Sequence, residues 1–245
     1  MQLHQFAYSH FNEKARWALA FKGLEAVRRT YLPGPHQAPL KKLSGQPQTP
    51  VLQVGEVIVP GSAAIIDWLE QHYPEPALYP ADPEQRRAAL ALQAELDRDF
   101  GPAVRRLVFE VLVDDLGYLC RMFAAEASTL KRVGYRAMLP LVRPLMIKGN
   151  GLTEALLTSS RRCVQETLDE LAERVKPGGY LVGDQFTVAD LTAAALTAPL
   201  LKLEHPDMAK PQPAPAAYEA LVGGFADHPF ARWAQSVYHR HRSAN

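Results

Sequence analysis

Cysteine is scarce in this chain and absent from its first 119 residues, because the only two cysteines are Cys120 and Cys163. Two cysteines cannot form the disulfide framework that holds small secreted domains together. We therefore expect both thiols to be buried and reduced, as is usual in a cytosolic protein. Dithiol redox chemistry near the N-terminus is excluded.

An excess of charge of either sign is also missing. The chain has 27 basic and 26 acidic residues, which gives a formal net charge of +1. This balance provides no electrostatic attraction for nucleic acid or for an anionic membrane. The basic stretch from Tyr238 to Arg242 is short, and we expect it to be the solvated end of a helix.

Long hydrophobic runs are absent as well. No stretch reaches about 18 unbroken apolar residues, the length that suggests a membrane-spanning helix. The richest segment, Ala137 to Ile147, is interrupted by two prolines and an arginine. No signal peptide is recognisable at the N-terminus, so we expect a cytoplasmic protein. Apolar residues make up 47% of the chain, which is enough to bury the core of one large or two ordinary domains.

The first part of the chain is predicted to fold as β-α-β followed by β-β-α. The apolar residues of its first helix fall in two stripes, one of them formed by Trp17 and Phe21, so this helix should be packed on two sides. Two β-rich runs meet at Gly55-Glu56, which is typical of a hairpin. The predicted elements are strands at Gln2–Ala7 and Val27–Tyr31, a helix at Asn12–Lys22, one helical turn near Pro39–Leu43, β runs at 51–54 and 57–59, and a helix from Gly61-Ser62 to Pro74.

Beyond a proline-rich linker, Tyr73–Asp82, only helices are predicted. One of them begins with Thr187-Val188-Ala189-Asp190, in which the threonine caps the helix and the aspartate reaches back to the threonine N–H. This motif supports folding rather than catalysis. The predicted helices are Pro83–Leu112, which Gly101-Pro102 can kink, then Tyr118–Met138, Thr153–Val175, Thr187–Leu201, Pro215–Val222 and Pro229–His239. The fold class is therefore an α/β unit followed by an all-α helical bundle.

Three junctions in the first part place polar groups at the start of a helix or strand. At Ser9 and at Ser62 the hydroxyl either caps the helix or, together with free N–H groups, binds an anion. Lowering a thiol pKa by about two units requires about 2.7 kcal/mol, which a charge-assisted hydrogen bond and a helix dipole supply together. Pro50 opens a strand, and its peptide bond with Thr49 is either trans or cis.

Together these segments resemble the glutathione transferase superfamily over essentially the whole chain. The family's first active-site segment is matched by SHFNEKARWALAFKG, and its C-terminal signature by YLVGDQFTVADLTAAA. Its cis-proline, hairpin and following helix are matched by QTPVLQVGEVIVPGSAAIIDWLEQHYPEPALYP. The resemblance implies a thioredoxin-like, glutathione-binding domain at residues 1–76 and an all-helical domain at residues 83–245 that forms a pocket for an electrophile.

The resemblance also implies a catalytic residue at the start of the first helix. Ser9 falls where many members place the residue that faces the glutathione sulfur, and Asn12 where a glutaredoxin-like relative has its second cysteine. We prefer Ser9 to Asn12 or Tyr8 as the residue that stabilises the thiolate. Ser62 would hold the γ-glutamyl carboxylate. Gly61 departs from the family, which usually has Glu, Gln or Asp at this position. Losing this partner of the ligand's α-amino group removes about 1.5–3 kcal/mol of binding free energy.

The remaining glutathione contacts are implied at the second junction and in the loop before it. The backbone of Thr49, preceding a cis Pro50, would pair with the cysteinyl part of glutathione. The glycine end is expected near His36, Gln37 and Gln48. A solvated loop residue is an equal alternative for His36.

The leading hypothesis is a glutathione transferase that conjugates the glutathione thiolate to an electrophilic carbon in detoxification. Phe11, Phe109 and Tyr118 are candidate walls of an apolar electrophile pocket, although core packing also suits each of them. No metal or cofactor is expected beyond glutathione as co-substrate, and the resemblance implies a homodimer. One alternative, favoured by Gly61 and the missing cysteine, is a binding protein that carries apolar ligands without turnover. The other is a protein-interaction module.

Overall fold

A computed structural model describes residues 1–242 of the chain and contains one four-stranded mixed sheet. The strands are β1 (Gln2–Gln5), β2 (Val27–Thr30), β3 (Val51–Val54) and β4 (Val57–Pro60), arranged in the order β2-β1-β3-β4. β1 runs parallel to β2 and antiparallel to β3, which forms a hairpin with β4. The predicted βαβ unit and hairpin are thus confirmed, with β1 two residues shorter than expected.

Three helices accompany this sheet. They are α1 (His10–Phe21), α2 (Gln37–Ser44) and α3 (Ser62–His72). The single turn predicted near Pro39 is a helix of eight residues that ends at Gly45 with φ +78°, a conformation that glycine adopts without strain. Gly61, rather than Ser62, is the N-cap residue of α3, so the interpretation of Ser62 as a plain cap is wrong.

The long helix predicted from Pro83 to Leu112 is present but not uniform. It comprises α4 (Pro83–Glu95), a π-helical segment (Leu96–Phe100) and α5 (Gly101–Leu112). The Asp82 side chain caps its start by accepting the N–H groups of residues 84 and 85. The irregularity therefore lies in the five residues before Gly101-Pro102 and replaces the predicted kink at that dipeptide.

The single helix predicted over Tyr118–Met138 is wrong. Two helices are present, α6 (Leu116–Phe123) and α7 (Thr129–Asn150), separated by a short loop. α7 also continues through Pro140 and Pro144 and ends at Asn150, whereas the predicted helix ends at Met138. Both prolines are exposed, so the carbonyl groups that lose an N–H partner there can be hydrated.

The rest of the chain is helical, as expected. It contains α8 (Glu154–Arg174), α9 (Val188–Thr197) with a 3₁₀ turn after it, α10 (Ala216–Phe225) and α11 (Pro229–His241). Neither cysteine forms a disulfide, but only Cys120 is buried, whereas Cys163 is half-buried. Among residues 1–242, no helix is both long enough and apolar enough to cross a membrane.

Helix α1 is packed on two sides, as its two apolar stripes predict. One side faces α3, and the other faces α9 of the helical part. Trp17 is fully buried there, and its indole ring lies against Phe186 and Tyr238 with ring centroids 5.8 and 4.5 Å away. Its Nε1 donates a hydrogen bond to the carbonyl of His241 at 3.0 Å. The first helix is therefore held directly by the C-terminal one.

Buried ion pairs connect the same two regions of the chain. Arg16 donates from Nε to Glu13 at 2.9 Å, and Arg242 donates to Glu13 at 2.8 Å and to Asp207 at 2.6 Å. Arg28 also pairs with Asp207. Although burial opposes it, the positive charges of Arg16, Arg28 and Arg242 hold the pKa of Asp207 below its usual value.

The expectation of a solvated tail from Tyr238 to Arg242 is therefore wrong. Tyr238 and Arg242 are buried, and only His239 and Arg240 point to solvent. The reason is that Glu13 and Asp207 supply the negative charge that makes burial of the last arginine favourable. Periodicity alone could not reveal these partners.

The capping box at the start of α9 forms as predicted. The Thr187 hydroxyl accepts the N–H of Ala189, and Asp190 accepts the Thr187 N–H at 2.9 Å. Asp190 also accepts the N–H of Leu181 at 2.8 Å, so the box fixes the preceding loop to the helix. All of these groups are buried, which makes each hydrogen bond difficult to replace with water.

Thr187→Ala is expected to lower the free energy of unfolding by about 1–2 kcal/mol, because it removes a buried N-cap. Urea denaturation measures this change. Thr158→Ala, at an exposed position of α8, is the matched control and should change stability by less than about 0.5 kcal/mol. Equal stability of the two variants would contradict the capping role.

Arg242→Met is expected to cost about 3–5 kcal/mol, because it leaves Glu13 and Asp207 with one buried countercharge fewer. Arg240→Met removes the same charge from an exposed position two residues earlier and serves as the control. Thermal and urea unfolding of both variants show whether Arg242 is held by these ion pairs. A solvated tail would instead give two variants of wild-type stability.

Candidate functional site

A large cavity lies between the sheet side of the molecule and the helical part. Its volume is about 1170 Å³, above the roughly 300–1,000 Å³ of typical ligand pockets. It can therefore accommodate a tripeptide together with a second molecule. Residues from the start of α1, the loop before α2, the loop before β3 and the start of α3 line one side. Residues of the π-helical segment, α5, α6 and α7, with Pro199 and Lys210, line the other.

Two residues that carry hydroxyl groups, Tyr8 and Ser9, line this cavity at the start of α1. Ser9 is the N-cap residue, yet its side chain makes no capping hydrogen bond, so the hydroxyl is available to a ligand. Tyr8 has φ +56° and is the only non-glycine residue within 1–242 with positive φ. Such a conformation costs on the order of 1–3 kcal/mol and is concentrated at functional sites. Burial, with Glu126 nearby, raises the pKa of Tyr8, which keeps its phenol neutral.

Asn12 has a different position from the one that a catalytic role requires. It is fully buried and is not among the residues that line the cavity. Its Nδ2 donates to the Thr49 hydroxyl at 3.0 Å, while its Oδ1 has no partner among residues 1–242. Asn12 thus ties the first helix to the loop before β3. Thr49 itself lines the cavity, and the Thr49–Pro50 bond is cis, as the resemblance implied.

The start of α3 forms a further part of the wall, with Gly61 and Ser62. Gly61 has φ +97°, which L side chains rarely adopt, and its N–H donates to the carbonyl of Pro50 at 2.8 Å. This geometry explains why an acidic side chain at position 61 would be strained. Ser62 is buried, and its hydroxyl has no hydrogen-bond partner in the described part of the chain. The helix start therefore offers a free hydroxyl and free N–H groups to an anion.

The loop before α2 also lines the cavity, and it contains His36 and Gln37. The Nδ1 atom of His36 accepts the N–H of Gly34 at 3.0 Å, so the ring proton sits on Nε2 as a donor. Burial lowers the pKa of His36, and its ring packs edge-on against Phe6, which excludes a freely solvated side chain. Gln48, before Thr49, lines the cavity with an exposed side chain.

Aromatic rings form another part of the cavity wall. Phe11 and Phe109 line the cavity, and Phe109 stacks on Phe123 with a centroid distance of 6.3 Å. Phe11 lies directly over Gly101, where an added Cβ would be 2.5 Å from the ring. The third predicted wall residue, Tyr118, is fully buried and does not line the cavity.

Sequence analysis missed three basic groups beside the aromatic wall, His10, Arg105 and Lys210, all of which line the cavity. Burial, with Arg105 and then Lys210 nearby, lowers the pKa of His10 to about 3, so the imidazole is neutral. Its Nε2 donates to the carbonyl of Gly101 at 3.0 Å. Burial lowers the pKa of Lys210 to about 8, so it remains largely protonated at neutral pH. The one sequence signal for such a group was at Arg105, a cation within an otherwise apolar helical stripe.

The acidic groups near the cavity form ion pairs with basic groups. Asp97 lines it, and one of its oxygens accepts from the buried Lys14 ammonium at 2.6 Å. Outside the cavity, Glu13, His205 and Asp207 bring potential metal-ligand atoms within 4.8 Å of one another. Both carboxylates there are already bound by arginines, whose charge opposes a metal cation. That cluster is better explained as the ion network described above.

Comparisons with known families agree with this architecture. Residues 3–77 match the family model of the glutathione S-transferase N-terminal domain, and residues 153–235 match that of the C-terminal domain. A solved glutathione S-transferase from Methylobacterium radiotolerans, in complex with glutathione sulfonate, is similar in fold. It has a TM-score of 0.62 and 23% identity, with 98% of this chain and 90% of that chain covered.

Two curated relatives are isomerases by name. Maleylpyruvate isomerase from Ralstonia sp is 32% identical over 133 residues, which are 53% of this chain and 59% of the relative. Maleylacetoacetate isomerase from Rattus norvegicus is 25% identical over 196 residues, which are 76% of this chain and 74% of the relative. The chain thus spans less than two thirds of the Ralstonia protein.

Gly101→Ala is expected to displace the Phe11 ring and to destabilise the protein by about 1–3 kcal/mol, the usual cost of overpacking. Unfolding in urea measures the cost, and the fluorescence of an apolar dye reports the change in the cavity. Gly223→Ala in α10 is the control, because, apart from its chain neighbours and its own helix backbone, no atom of residues 1–242 lies within 4 Å of the added Cβ. Similar stability losses in the two variants would refute the close packing at Gly101.

Proposed function

This chain belongs to the glutathione S-transferase family, and on that premise we propose that it is an enzyme that activates the glutathione thiol for attack on an electrophile. Ser9 donates its hydroxyl to the sulfur and stabilises the thiolate. The thiolate then forms a bond to an electrophilic carbon, and the leaving group departs with the electron pair. Ser9 is not consumed, and the thiol proton passes to solvent.

The observation that carries this proposal is the free Ser9 hydroxyl at the N-terminus of a buried helix. An ordinary N-cap serine would bond to a backbone N–H of its own helix, whereas this one does not. The hydroxyl lies on the cavity wall together with the unbonded hydroxyl of Ser62. Two such groups facing one cavity are a suitable pair of donors for the thiolate and the carboxylate of the same peptide.

The remaining contacts with glutathione are proposed along the same wall. The Thr49 backbone pairs with the cysteinyl unit, and the neutral His36 ring, with Gln37 and Gln48, lies toward the glycine end. Gly61 contributes backbone rather than an acidic side chain. The α-ammonium group would meet Asp97, the one carboxylate among residues 1–242 that lines the cavity.

A second candidate activity is glutathione-dependent isomerisation. Two relatives carry the names of isomerases of unsaturated acids, and the cationic residues beside the aromatic wall suit such acids. In that reaction the thiolate adds to a double bond, the resulting single bond rotates, and elimination restores the thiolate. Ser9 has the same function in both activities. The alternatives to an enzyme are a carrier without turnover and a protein-interaction module.

The organisation of the protein in the cell is part of the same proposal. We assign glutathione binding to residues 1–76 and electrophile binding to residues 83–245. Cytoplasmic location, a homodimer and a role in detoxification are proposed from the family alone. Sedimentation at micromolar concentration tests the dimer, and limited proteolysis between residues 73 and 82 tests the division into two domains.

Ser9→Ala is expected to raise the pKa of enzyme-bound glutathione by about one to two units, because it removes one hydrogen bond to a charged group worth about 1.5–3 kcal/mol. The pH–rate profile of conjugation with chlorodinitrobenzene should therefore shift to higher pH. Some activity should survive, since the helix dipole remains.

Asn12→Ala should shift the profile less, because Asn12 acts on Thr49 rather than on the sulfur, and Ser159→Ala on exposed α8 is the neutral control. A shift in Asn12→Ala with an unchanged Ser9→Ala profile would transfer the role to Asn12. Calorimetric binding of glutathione without turnover in any variant would identify a carrier instead.

A further inference from the structure

We propose that the electrophile end of the cavity is an anion subsite, in which Arg105 and Lys210 bind a carboxylate of the second substrate. This inference rests on the proposed glutathione-dependent activity and names the class of its second substrate. Instead of a purely apolar electrophile, the cavity would select an aromatic or unsaturated acid. The acid group would occupy the two cations while the reactive carbon faces Ser9.

Arg105 is a cation without a partner. It projects from α5, lines the cavity and forms no ion pair or hydrogen bond within residues 1–242. Its Nε atom is shielded from solvent and unsatisfied. Val108 and Phe109, one turn further along α5, line the same cavity, which places the guanidinium beside the aromatic wall. A planar guanidinium is the group best suited to bind a carboxylate through two parallel hydrogen bonds.

Lys210 contributes a second such charge from the loop before α10. Its ammonium group is buried and lacks a hydrogen-bond partner in the described part of the chain. The Tyr218 ring lies 5.2 Å from this nitrogen and supplies only a weak cation–π contact. Arg105 and Lys210 line the same cavity as His10 and Ser9, and each lies near enough to His10 to lower the pKa of its imidazole.

Within residues 1–242, neither of these two charges has an ion-pair partner. Asp97 is the only acidic residue of that range that lines the cavity, and Lys14 occupies one of its oxygens. His10 is neutral and adds no charge. Burying an unpaired cation is costly, so proteins normally pair it. A bound carboxylate would provide the missing countercharge, and the apolar walls would take the rest of the molecule.

Two matched probes test the subsite, chlorodinitrobenzoate and its neutral amide, chlorodinitrobenzamide. The wild-type protein should favour the benzoate in kcat/KM, after each value is divided by the uncatalysed rate. Arg105→Gln and Lys210→Gln should each lower the benzoate value by about tenfold to a hundredfold, as loss of a charged hydrogen bond does. The amide value should change less than about threefold. Arg98→Gln, which removes a charge from an exposed side chain, is the control and should change neither.

A binding measurement separates failure of this subsite from failure of the proposed activity. Calorimetry with glutathione present compares the unreactive dinitrobenzoate and dinitrobenzamide, so it needs no turnover. Preference of the wild type for the benzoate, weakened by high salt and lost in either variant, supports the subsite even in a protein that does not catalyse conjugation. Equal affinity of the wild type for both probes overturns it. Loss of glutathione affinity in Arg105→Gln, with both probes affected equally, also overturns it, because the cations would then serve glutathione.

Discussion

Helix α1 is enclosed between α3 and the C-terminal helices, and this enclosure constrains much of the molecule. A single turn of the helix carries Glu13, Lys14 and Arg16, all of them buried. A buried charge requires a partner, and these partners come from distant parts of the chain, from Asp97 for Lys14 and from Arg242 for Glu13. The helical part is therefore attached to α1 by charge as well as by the apolar contacts of Trp17.

The site inherits its geometry from this enclosed helix. Because the body of α1 cannot move without separating its ion pairs, its N-terminus is held in place on the cavity wall. Ser9 and the left-handed Tyr8 occupy that terminus, and Asn12 extends the same rigid connection to Thr49. Asp97, which lies in the π-helical segment, is both the partner of Lys14 and part of the cavity wall. The cavity and the core thus share residues, so substitutions that weaken one are expected to alter the other.

The fold class was predictable because it depends on local patterns. The alternation of strands and helices in the first part and the capping box at Thr187 depend on near neighbours in sequence, and the structure confirms both. The passage of α7 through Pro140 and Pro144 was not predictable in this way, because prolines within a helix are tolerated where the carbonyl groups that lose a partner reach water, and the tertiary fold decides that exposure. The prediction of a solvated tail failed because the partners of Arg242 lie far away in sequence.

The candidate site was predictable only in its family-like half. Ser9, Thr49 and Ser62 belong to short motifs with fixed spacing, and all three line one cavity, although their roles stay predictions. Tyr118 was assigned to the wall because the register of its helix could not be fixed from the sequence. Arg105 and Lys210 come from segments without a motif, and only the tertiary fold brings them together. Specificity is therefore the property that is least accessible from the sequence.

The ion pair between Glu13 and Arg242 also has a consequence for synthesis on the ribosome. The two residues are 229 positions apart, so α1 leaves the exit tunnel long before its partner is translated. Until then Arg16 is the countercharge within the same helix, and the face of α1 around Trp17 remains without Phe186 and Tyr238. The first helix therefore reaches its final packing only after translation has passed residue 242. A nascent chain that stalls earlier exposes that tryptophan face to chaperones.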